Sequence, residues 1–137
     1  MNNIVTGIAH TAYTTTQMDK MLDFYCGKLK FRHTFAIKDD NGNPWIEYIK
    51  IAENSFIELF YAKPEQIKKD DSRYNHLCFS VNDIHAIADC LKSNGIAILW
   101  DGPSQGKDKN WQCWCEDPDG NKIEFMQISP DSPQVQA

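Results

Sequence analysis

The 137-residue sequence lacks any apolar run long enough to span a membrane and any dense cluster of Lys and Arg. A membrane helix needs about 20 consecutive apolar residues. The N-terminus also lacks the basic start and apolar stretch of a signal peptide. With a net charge of −5 and no basic surface to match a phosphate backbone, binding to nucleic acid is disfavoured. We therefore expect a cytoplasmic protein that binds neither membranes nor nucleic acids.

The sequence also lacks a recognisable cysteine framework, because the five cysteines are odd in number and irregularly spaced. Cys113 and Cys115 are two residues apart, which would place both on one face of a strand. We expect this pair to be reduced and half-buried. The chain is long enough for one domain with a core, and its 42% hydrophobic and 24% charged residues are typical of a globular protein.

What the sequence does contain is an internal repeat. His10 and Glu58 are separated by 48 residues, and His76 and Glu124 are separated by the same number, which offsets the two halves by 66 positions. Each histidine leads into a stretch rich in β-forming residues, and each glutamate is at the centre of an apolar strand pattern. Self-similarity at a fixed offset indicates a duplicated structural unit.

Both halves contain a predicted helix after the histidine. The apolar stripes are Met18, Met21, Leu22 and Tyr25 in the first half and Ile84, Ile87, Ala88 and Leu91 in the second. This spacing of three and four residues is that of one buried helical face. Thr16 is the candidate N-cap of the first helix, and Asn82 or Asp83 that of the second. Gly95 is expected to end the second helix.

Two turn signals separate the predicted strands, at residues 39–44 and 117–120, and we interpret them as equivalent positions of the repeat. The strands that follow, at residues 56–60 and 122–126, carry the two glutamates. Each half thus contains a strand, a helix and two or three further strands. The tail at residues 129–137 has no periodicity and is expected to be loose.

Strand alternation places Glu58 on the same face as Phe56 and Phe60, while the other face is apolar as well. An ionised carboxylate in such surroundings requires a compensating cation, metal or proton. For one glutamate alone, a salt bridge to Lys or Arg would be the ordinary interpretation.

The equal spacing favours a different interpretation, in which His10, Glu58, His76 and Glu124 converge on one ion. Imidazole and carboxylate together suit divalent Zn, Ni, Co, Mn or Fe. His33, expected in the turn after the first helix, and His85, expected on the solvent side of the second, are left out of this site.

At these residues the chain resembles the vicinal oxygen chelate superfamily, which includes glyoxalase I, extradiol dioxygenases, fosfomycin-resistance thiol transferases, methylmalonyl-CoA epimerase and bleomycin-binding proteins. The resemblance extends from residue 8 to about residue 128 and is strongest at residues 56–59, 76–81 and 116–124. It implies an α+β fold in which two βαβββ modules form curved mixed sheets around a metal cleft. The modules would span residues 5–62 and 72–128 of a single domain.

The ligand order His, Glu, His, Glu is most similar to that of glyoxalase I. The resemblance therefore implies a divalent-metal-dependent lyase or isomerase that acts on a hemithioacetal or related α-hydroxycarbonyl through an enediolate. Glu124 and Glu58 would be the catalytic residues, with Glu124 preferred as the base, and the protein would form a homodimer. Another metalloenzyme of the superfamily, such as a dioxygenase or epimerase, and a non-catalytic small-molecule-binding protein are the alternatives.

One departure from glyoxalase I concerns its thiol. Those enzymes generally hold glutathione with an Arg shortly after the first His and an Asn shortly after the first Glu. Here the corresponding stretches are residues 13–15 (Tyr-Thr-Thr) and 61–62 (Tyr-Ala), so the identity of the thiol is left open. The candidate lining of an apolar substrate pocket is aromatic, although these side chains could equally fill the core. It consists of Trp45, Tyr74, Trp100, Trp111 and Trp114.

Overall fold

The computed structural model describes residues 8–53, 55–67, 74 and 76–136. The chain folds as two compact units, residues 1–71 and 72–137. Each unit contains a four-stranded mixed sheet and few helices, which confirms the α+β class. No helix within the described ranges has both the length and the apolar character needed to cross a membrane.

The first unit is built from four strands and one principal helix. Its elements are β1 (His10–Thr15), α1 (Met18–Leu22), a π-helical continuation (Asp23–Lys28), β2 (Arg32–Lys38), β3 (Pro44–Ala52), β4 (Ser55–Tyr61) and a 3₁₀ turn (Pro64–Gln66). The sheet order is β1-β4-β3-β2, with β1 and β4 parallel and the other neighbours antiparallel. Its core contains fully buried side chains of both sheet and helix, among them Ile57, Leu59, Met21 and Tyr25.

The second unit repeats this topology. Its elements are β5 (Leu77–Ser80), α2 (Ile84–Ser93), β6 (Leu99–Gln105), β7 (Trp111–Glu116), β8 (Lys122–Gln127) and α3 (Pro133–Gln136). The sheet order is β5-β8-β7-β6, with β5 and β8 parallel. Helix α2 packs against β6, β7 and β8 and buries Ile84, Ala88 and Leu91 of the predicted stripe. Its fourth member, Ile87, is half-buried.

The ends of α2 are formed as predicted. Asp83 is the N-cap, and its carboxylate accepts hydrogen bonds from the backbone N–H groups of His85 at 2.9 Å and Ala86 at 3.0 Å. At the other end Gly95 adopts a φ of +69° and donates to the carbonyl of Lys92 at 3.0 Å. A residue without Cβ reaches this left-handed conformation with little strain.

The N-terminus of α1 differs from the prediction. Thr16 is not its cap, because the helix begins at Met18 and the N-cap residue is Gln17, which makes no side-chain capping bond. The hydroxyl of Thr15, the residue before Thr16, instead accepts a hydrogen bond from the backbone N–H of Gln17 at 3.0 Å. Adjacent threonines offer the same chemistry, and burial of Thr15 in the core decides which of them turns inward.

The two turn signals form the same hairpin structure but lie at different places in the repeat. Gly42 donates to the carbonyl of Asp39 and Gly120 to that of Asp117, each at 2.9 Å, and both glycines have a φ of +81°. The first turn joins β2 to β3, whereas the second joins β7 to β8. Their predicted equivalence is therefore wrong. An Asp-x-x-Gly turn suits either hairpin, and in the first unit the connection from β3 to β4, which corresponds to the second turn, is shorter.

The C-terminal tail, expected to be loose, is anchored to the second unit. The backbone N–H of Ser129 donates to the side-chain oxygen of Asn110 at 2.9 Å, and its hydroxyl donates to the carbonyl of Lys109 at 2.7 Å. Farther along, the Gln134 amide donates to Asp108 at 3.0 Å. These bonds are made to the loop between β6 and β7, a partner that periodicity within the tail cannot reveal.

The different roles of Asp83 and Thr16 predict a measurable contrast in stability. Replacing Asp83 with Ala leaves two backbone donors without their partner and should lower the free energy of unfolding by about 1 kcal/mol. Thr16→Ala should leave it within about 0.5 kcal/mol of the parent value, as for other surface positions without a cap. Urea titration of both variants tests this, and equal losses would contradict the assignment of the caps.

Candidate functional site

In the first unit, the parallel pairing of β1 with β4 brings His10 and Glu58 together. Glu58 lies beside Ala12 in the register of the two strands, and His10 is two residues before Ala12 and therefore on the same face. The Nδ1 atom of His10 lies 3.4 Å from Oε1 of Glu58. The carboxylate residue is only 8% exposed, whereas the imidazole is half exposed.

The second unit repeats this arrangement. Glu124 lies beside Cys78 in the register of β8 with β5, and His76 is again two residues before the paired position. The Nε2 atom of His76 lies 3.1 Å from Oε2 of Glu124, and Glu124 is 5% exposed. The 48-residue spacing is thus explained by two equivalent strand pairings, each of which joins one imidazole to one buried carboxylate.

The separation of donor atoms in each pair is suited to a divalent ion. Two ligand atoms that each lie about 2.1 Å from one ion are about 3.0 Å apart at a right angle and about 3.4 Å apart at a tetrahedral angle. The observed distances of 3.1 and 3.4 Å fall in this range. Among the described residues no three His, Cys, Asp or Glu side chains form a metal-binding group. Convergence of both pairs on one ion stays a prediction.

The two carboxylates have different neighbours. In β3 Tyr48 lies beside Glu58, and burial, a hydrogen bond to Glu58 and its negative charge together raise the pKa of the phenol. Trp114 has the corresponding position beside Glu124 in β7. The thiol of Cys78, an exposed residue, also faces Glu124, and local desolvation followed by that negative charge raises its pKa to about 12.

A third His–Glu pair lies in the first unit, and sequence analysis missed it. His33 belongs to β2 rather than to a turn, and its Nε2 lies 2.6 Å from Oε2 of Glu47. The Tyr61 hydroxyl donates to the other carboxylate oxygen at 2.9 Å. Burial and this hydrogen bond raise the pKa of Tyr61 to about 12. Strand alternation places Glu47 on the opposite face from Tyr48, so this cluster is separate from the Glu58 face.

The aromatic residues predicted to line one pocket are distributed over different surfaces. Trp114 lies edge-on to His76, with 4.7 Å between ring centroids, and Trp100 lies 5.5 Å from Trp114. The Tyr74 hydroxyl donates to the carbonyl of Lys122, on the same strand as Glu124, at 2.9 Å.

The other two tryptophans lie elsewhere. Trp45 lines a cavity of about 660 Å³ in the first unit that includes Tyr61 but neither His10 nor Glu58. Trp111 lies on the opposite face of β7 from Trp114, the residue beside Glu124. Its ring is 5.8 Å from the exposed ring of His85 on α2. Trp111 therefore does not line the predicted pocket. The alternation of side chains along β7 already indicates this from the sequence.

The two cysteines of β7 share the face of Trp111, as their spacing predicts. Both are free thiols, but each is fully buried rather than half-buried. Desolvation in this core raises the pKa of both thiols. They therefore have a packing role beneath the sheet, on the opposite face from Glu124.

Comparison with known proteins agrees with this architecture. Residues 7–125 match the family model of the Glyoxalase/Bleomycin resistance protein/Dioxygenase superfamily. The chain belongs to this superfamily. It is 26% identical over 125 residues to the probable lactoylglutathione lyase of Synechocystis sp., covering 89% of this chain and 95% of that protein. It is also 25% identical over 124 residues to the lactoylglutathione lyase of Haemophilus influenzae, covering 88% and 91%.

A solved structure is similar to the chain in its fold. The antibiotic binding protein TnmS3 from Streptomyces sp. has a TM-score of 0.73 and 22% identity to the chain, covering 93% of this chain and 100% of that structure. At this identity the likeness concerns the fold alone. The superfamily thus includes proteins named as lyases and shares its fold with a protein named for binding an antibiotic.

The contact between Cys78 and Glu124 predicts a change in thiol reactivity. In metal-free protein at pH 8, Cys78 should be alkylated slowly by iodoacetamide, because its high pKa keeps it protonated. Glu124→Gln removes the negative charge but not the local desolvation, so the rate should rise only in part. Glu47→Gln is the matched control and should leave the rate unchanged, because Glu47 pairs with His33 in a separate cluster. Mass spectrometry of the alkylated peptide measures this, and equal rates in all three proteins would contradict the contact.

Proposed function

We propose that this protein is a divalent-metal-dependent lyase of the glyoxalase I type that isomerises a hemithioacetal or a related α-hydroxycarbonyl compound. The observation that carries the proposal is the pair of equivalent His–Glu contacts, His10 with Glu58 and His76 with Glu124. The names of the relatives from Synechocystis and Haemophilus support the same reaction class.

The four side chains would supply two neutral imidazole nitrogens and two carboxylates to one Ni, Zn, Co, Mn or Fe ion. When bound, such an ion supplies positive charge that stabilises a developing enediolate oxygen. The low exposure of Glu58 and Glu124 excludes water from the carboxylates, which strengthens their interaction with a cation. Neither carboxylate is paired with Lys or Arg within the described part of the chain, which leaves both available as ligands.

The reaction itself is a redox-neutral proton transfer between adjacent carbons. A carboxylate removes the proton from the carbon that bears sulfur and hydroxyl and returns it to the neighbouring carbonyl carbon. The hydroxyl proton passes to the former carbonyl oxygen, so that the hemithioacetal becomes a hydroxy thioester. We assign this role to Glu124. Glu58 accepts a hydrogen bond from the phenol of Tyr48, which satisfies part of its charge, whereas Glu124 faces the weaker thiol donor of Cys78.

The thiol partner of the substrate follows from the residues near His10. Tyr13 and Thr15 are buried on the opposite face of β1 from His10, so neither contacts a ligand bound beside Glu58. The residue between them, Thr14, is exposed on the same face as His10, but its hydroxyl is uncharged. No residue of this stretch therefore supplies the positive charge with which glyoxalase I enzymes hold glutathione. We propose that the protein uses a thiol other than glutathione.

The metal proposal predicts a loss of bound ion in one variant but not in a matched one. Purified protein should contain about one divalent ion per chain, and His76→Ala should reduce this to near zero because it removes one of four ligands. His33→Ala should leave the content unchanged, since His33 pairs with Glu47 on the other face. Elemental analysis measures both, and a wild-type protein as metal-poor as the His76 variant would contradict the proposal.

The catalytic proposal predicts that metal-loaded protein converts methylglyoxal–thiol adducts, with glutathione a poorer partner than a small thiol such as 2-mercaptoethanol. Glu124→Gln should lower kcat by a factor of about 10² to 10⁴ while the protein keeps its metal, because an amide oxygen can still act as a ligand. Glu58→Gln is the matched comparison and should have the smaller effect. Thioester absorbance follows the reaction.

Two results would overturn these assignments. A larger loss of kcat in the Glu58 variant would transfer the base to the first unit. Metal-loaded protein that is inactive with every thiol would reject the lyase assignment and favour a binding protein comparable to the antibiotic binding protein TnmS3.

A further inference from the structure

A row of aromatic rings extends from His76 to the surface of the second unit. The imidazole lies 4.7 Å from Trp114, with an interplanar angle of 67°, and Trp114 lies 5.5 Å from Trp100 at 71°. The Trp114 indole N–H donates to the side-chain oxygen of Gln112 at 3.1 Å, which fixes the orientation of the ring. The row therefore begins at a proposed metal ligand and ends in solvent.

Trp100 is held in an unusual backbone conformation. Its φ is +54° and that of the next residue, Asp101, is +53°, a region that bulky side chains rarely occupy. The strain coincides with a break in the pairing of β6 with β7, between Leu99 and Ser104. Burial does not compensate for it, because Trp100 is 65% exposed. Strained backbone conformations of this kind are found more often at ligand-binding sites than elsewhere.

A cation lies beside the exposed indole. The ammonium of Lys122 is 5.7 Å from the centroid of the Trp100 ring, within the range of a cation–π contact. The strand that carries Lys122 also carries Glu124, two residues later, and alternation points both side chains to the same face. The aromatic surface and the positive charge are thus both adjacent to the His76–Glu124 pair.

The first unit has aromatic residues at the positions that correspond to Trp114 and Lys122, and therefore lacks the positive charge of Lys122. Tyr48 corresponds to Trp114, and Phe56 corresponds to Lys122 across the 66-residue offset. Phe35 stacks on Tyr48 at 4.3 Å, and Phe56 lies 6.4 Å from the same ring. The first unit therefore has an apolar aromatic surface where the second combines an aromatic ring with an ammonium group.

We propose that Trp100, Trp114 and Lys122 form a binding site for the part of the substrate distant from the reacting carbons, and that this part is a planar or apolar group bearing a carboxylate. The apolar group lies against the indoles and the carboxylate pairs with the ammonium. Only the identification of the ligand as a substrate rests on the proposed lyase function. Binding of a carboxylate-bearing aromatic molecule does not depend on it.

The test uses 2-naphthoate as the probe and its uncharged analogue 2-naphthamide as the comparison, with the metal-free full-length protein. We expect 2-naphthoate to shift the indole N–H resonances of Trp100 and Trp114 in a nitrogen–proton correlation spectrum, and not that of Trp45. Single tryptophan-to-phenylalanine variants assign the signals. Shifts confined to Trp45 or Trp111, or the absence of shifts at millimolar probe, would overturn the proposal.

Variants separate binding from folding. Trp100→Gly removes the ring and relieves the left-handed strain, so it should weaken 2-naphthoate binding by about tenfold without lowering the unfolding temperature. Trp45→Leu is the matched control and should bind as the parent does. Undiminished binding by the Trp100 variant would reject the site.

Lys122→Met tests the charge without altering the strained backbone. It should abolish the preference for 2-naphthoate over 2-naphthamide, a change of about threefold or more, and it remains decisive if Trp100→Gly unfolds at a lower temperature. A preference that survives would overturn the role of Lys122. Because neither probe needs metal or turnover, an inactive protein that binds 2-naphthoate would refute the lyase and leave this site intact, while an active protein that does not bind it would refute the site alone.

Discussion

A carboxylate buried in an apolar sheet needs a compensating partner, and in both units of this protein that partner is an imidazole at the start of the neighbouring parallel strand or just before it. The pairings of Glu58 with His10 and of Glu124 with His76 depend on strand register, because a shift by one residue would turn each glutamate to the opposite face. The remaining features of the proposed site, including its metal and its base, follow from these two contacts.

The two units are equivalent in their ligands and different in what surrounds them. Tyr48 and Trp114 hold corresponding places beside the two glutamates, but only the phenol can satisfy a carboxylate with a strong hydroxyl donor. Duplication thus supplies a symmetric set of ligands, and substitutions beside it distinguish one carboxylate from the other. A proton-transfer reaction benefits from this difference, since one carboxylate can be a ligand while the other moves a proton.

The sequence predicts the repeat and the β-strand faces, because both follow from spacing along the chain. It predicts the His–Glu pairs because the repeat presents the same two residues at the same separation twice. It fails where two residues compete for one role, or where residues meet in space without such a repeated signal. Thr15 and Thr16 have the same hydroxyl, and only burial selects between them. The buried cluster around Glu47 has no periodic signature, since its partners His33 and Tyr61 come from two other strands. The left-handed conformation of Trp100 likewise could not be predicted, because the residue is not a glycine.

The position of that strain bears on how this fold accommodates different ligands. Both proposed carboxylate ligands lie on the inner strands β4 and β8, where pairing on both sides fixes each side chain. Trp100 is on β6, an edge strand whose pairing with β7 is interrupted. An edge strand can change its backbone without disturbing the register of the others. The chemistry of the reacting centre and the recognition of the rest of the substrate can therefore change separately, which is consistent with a superfamily whose members share one fold and differ in function.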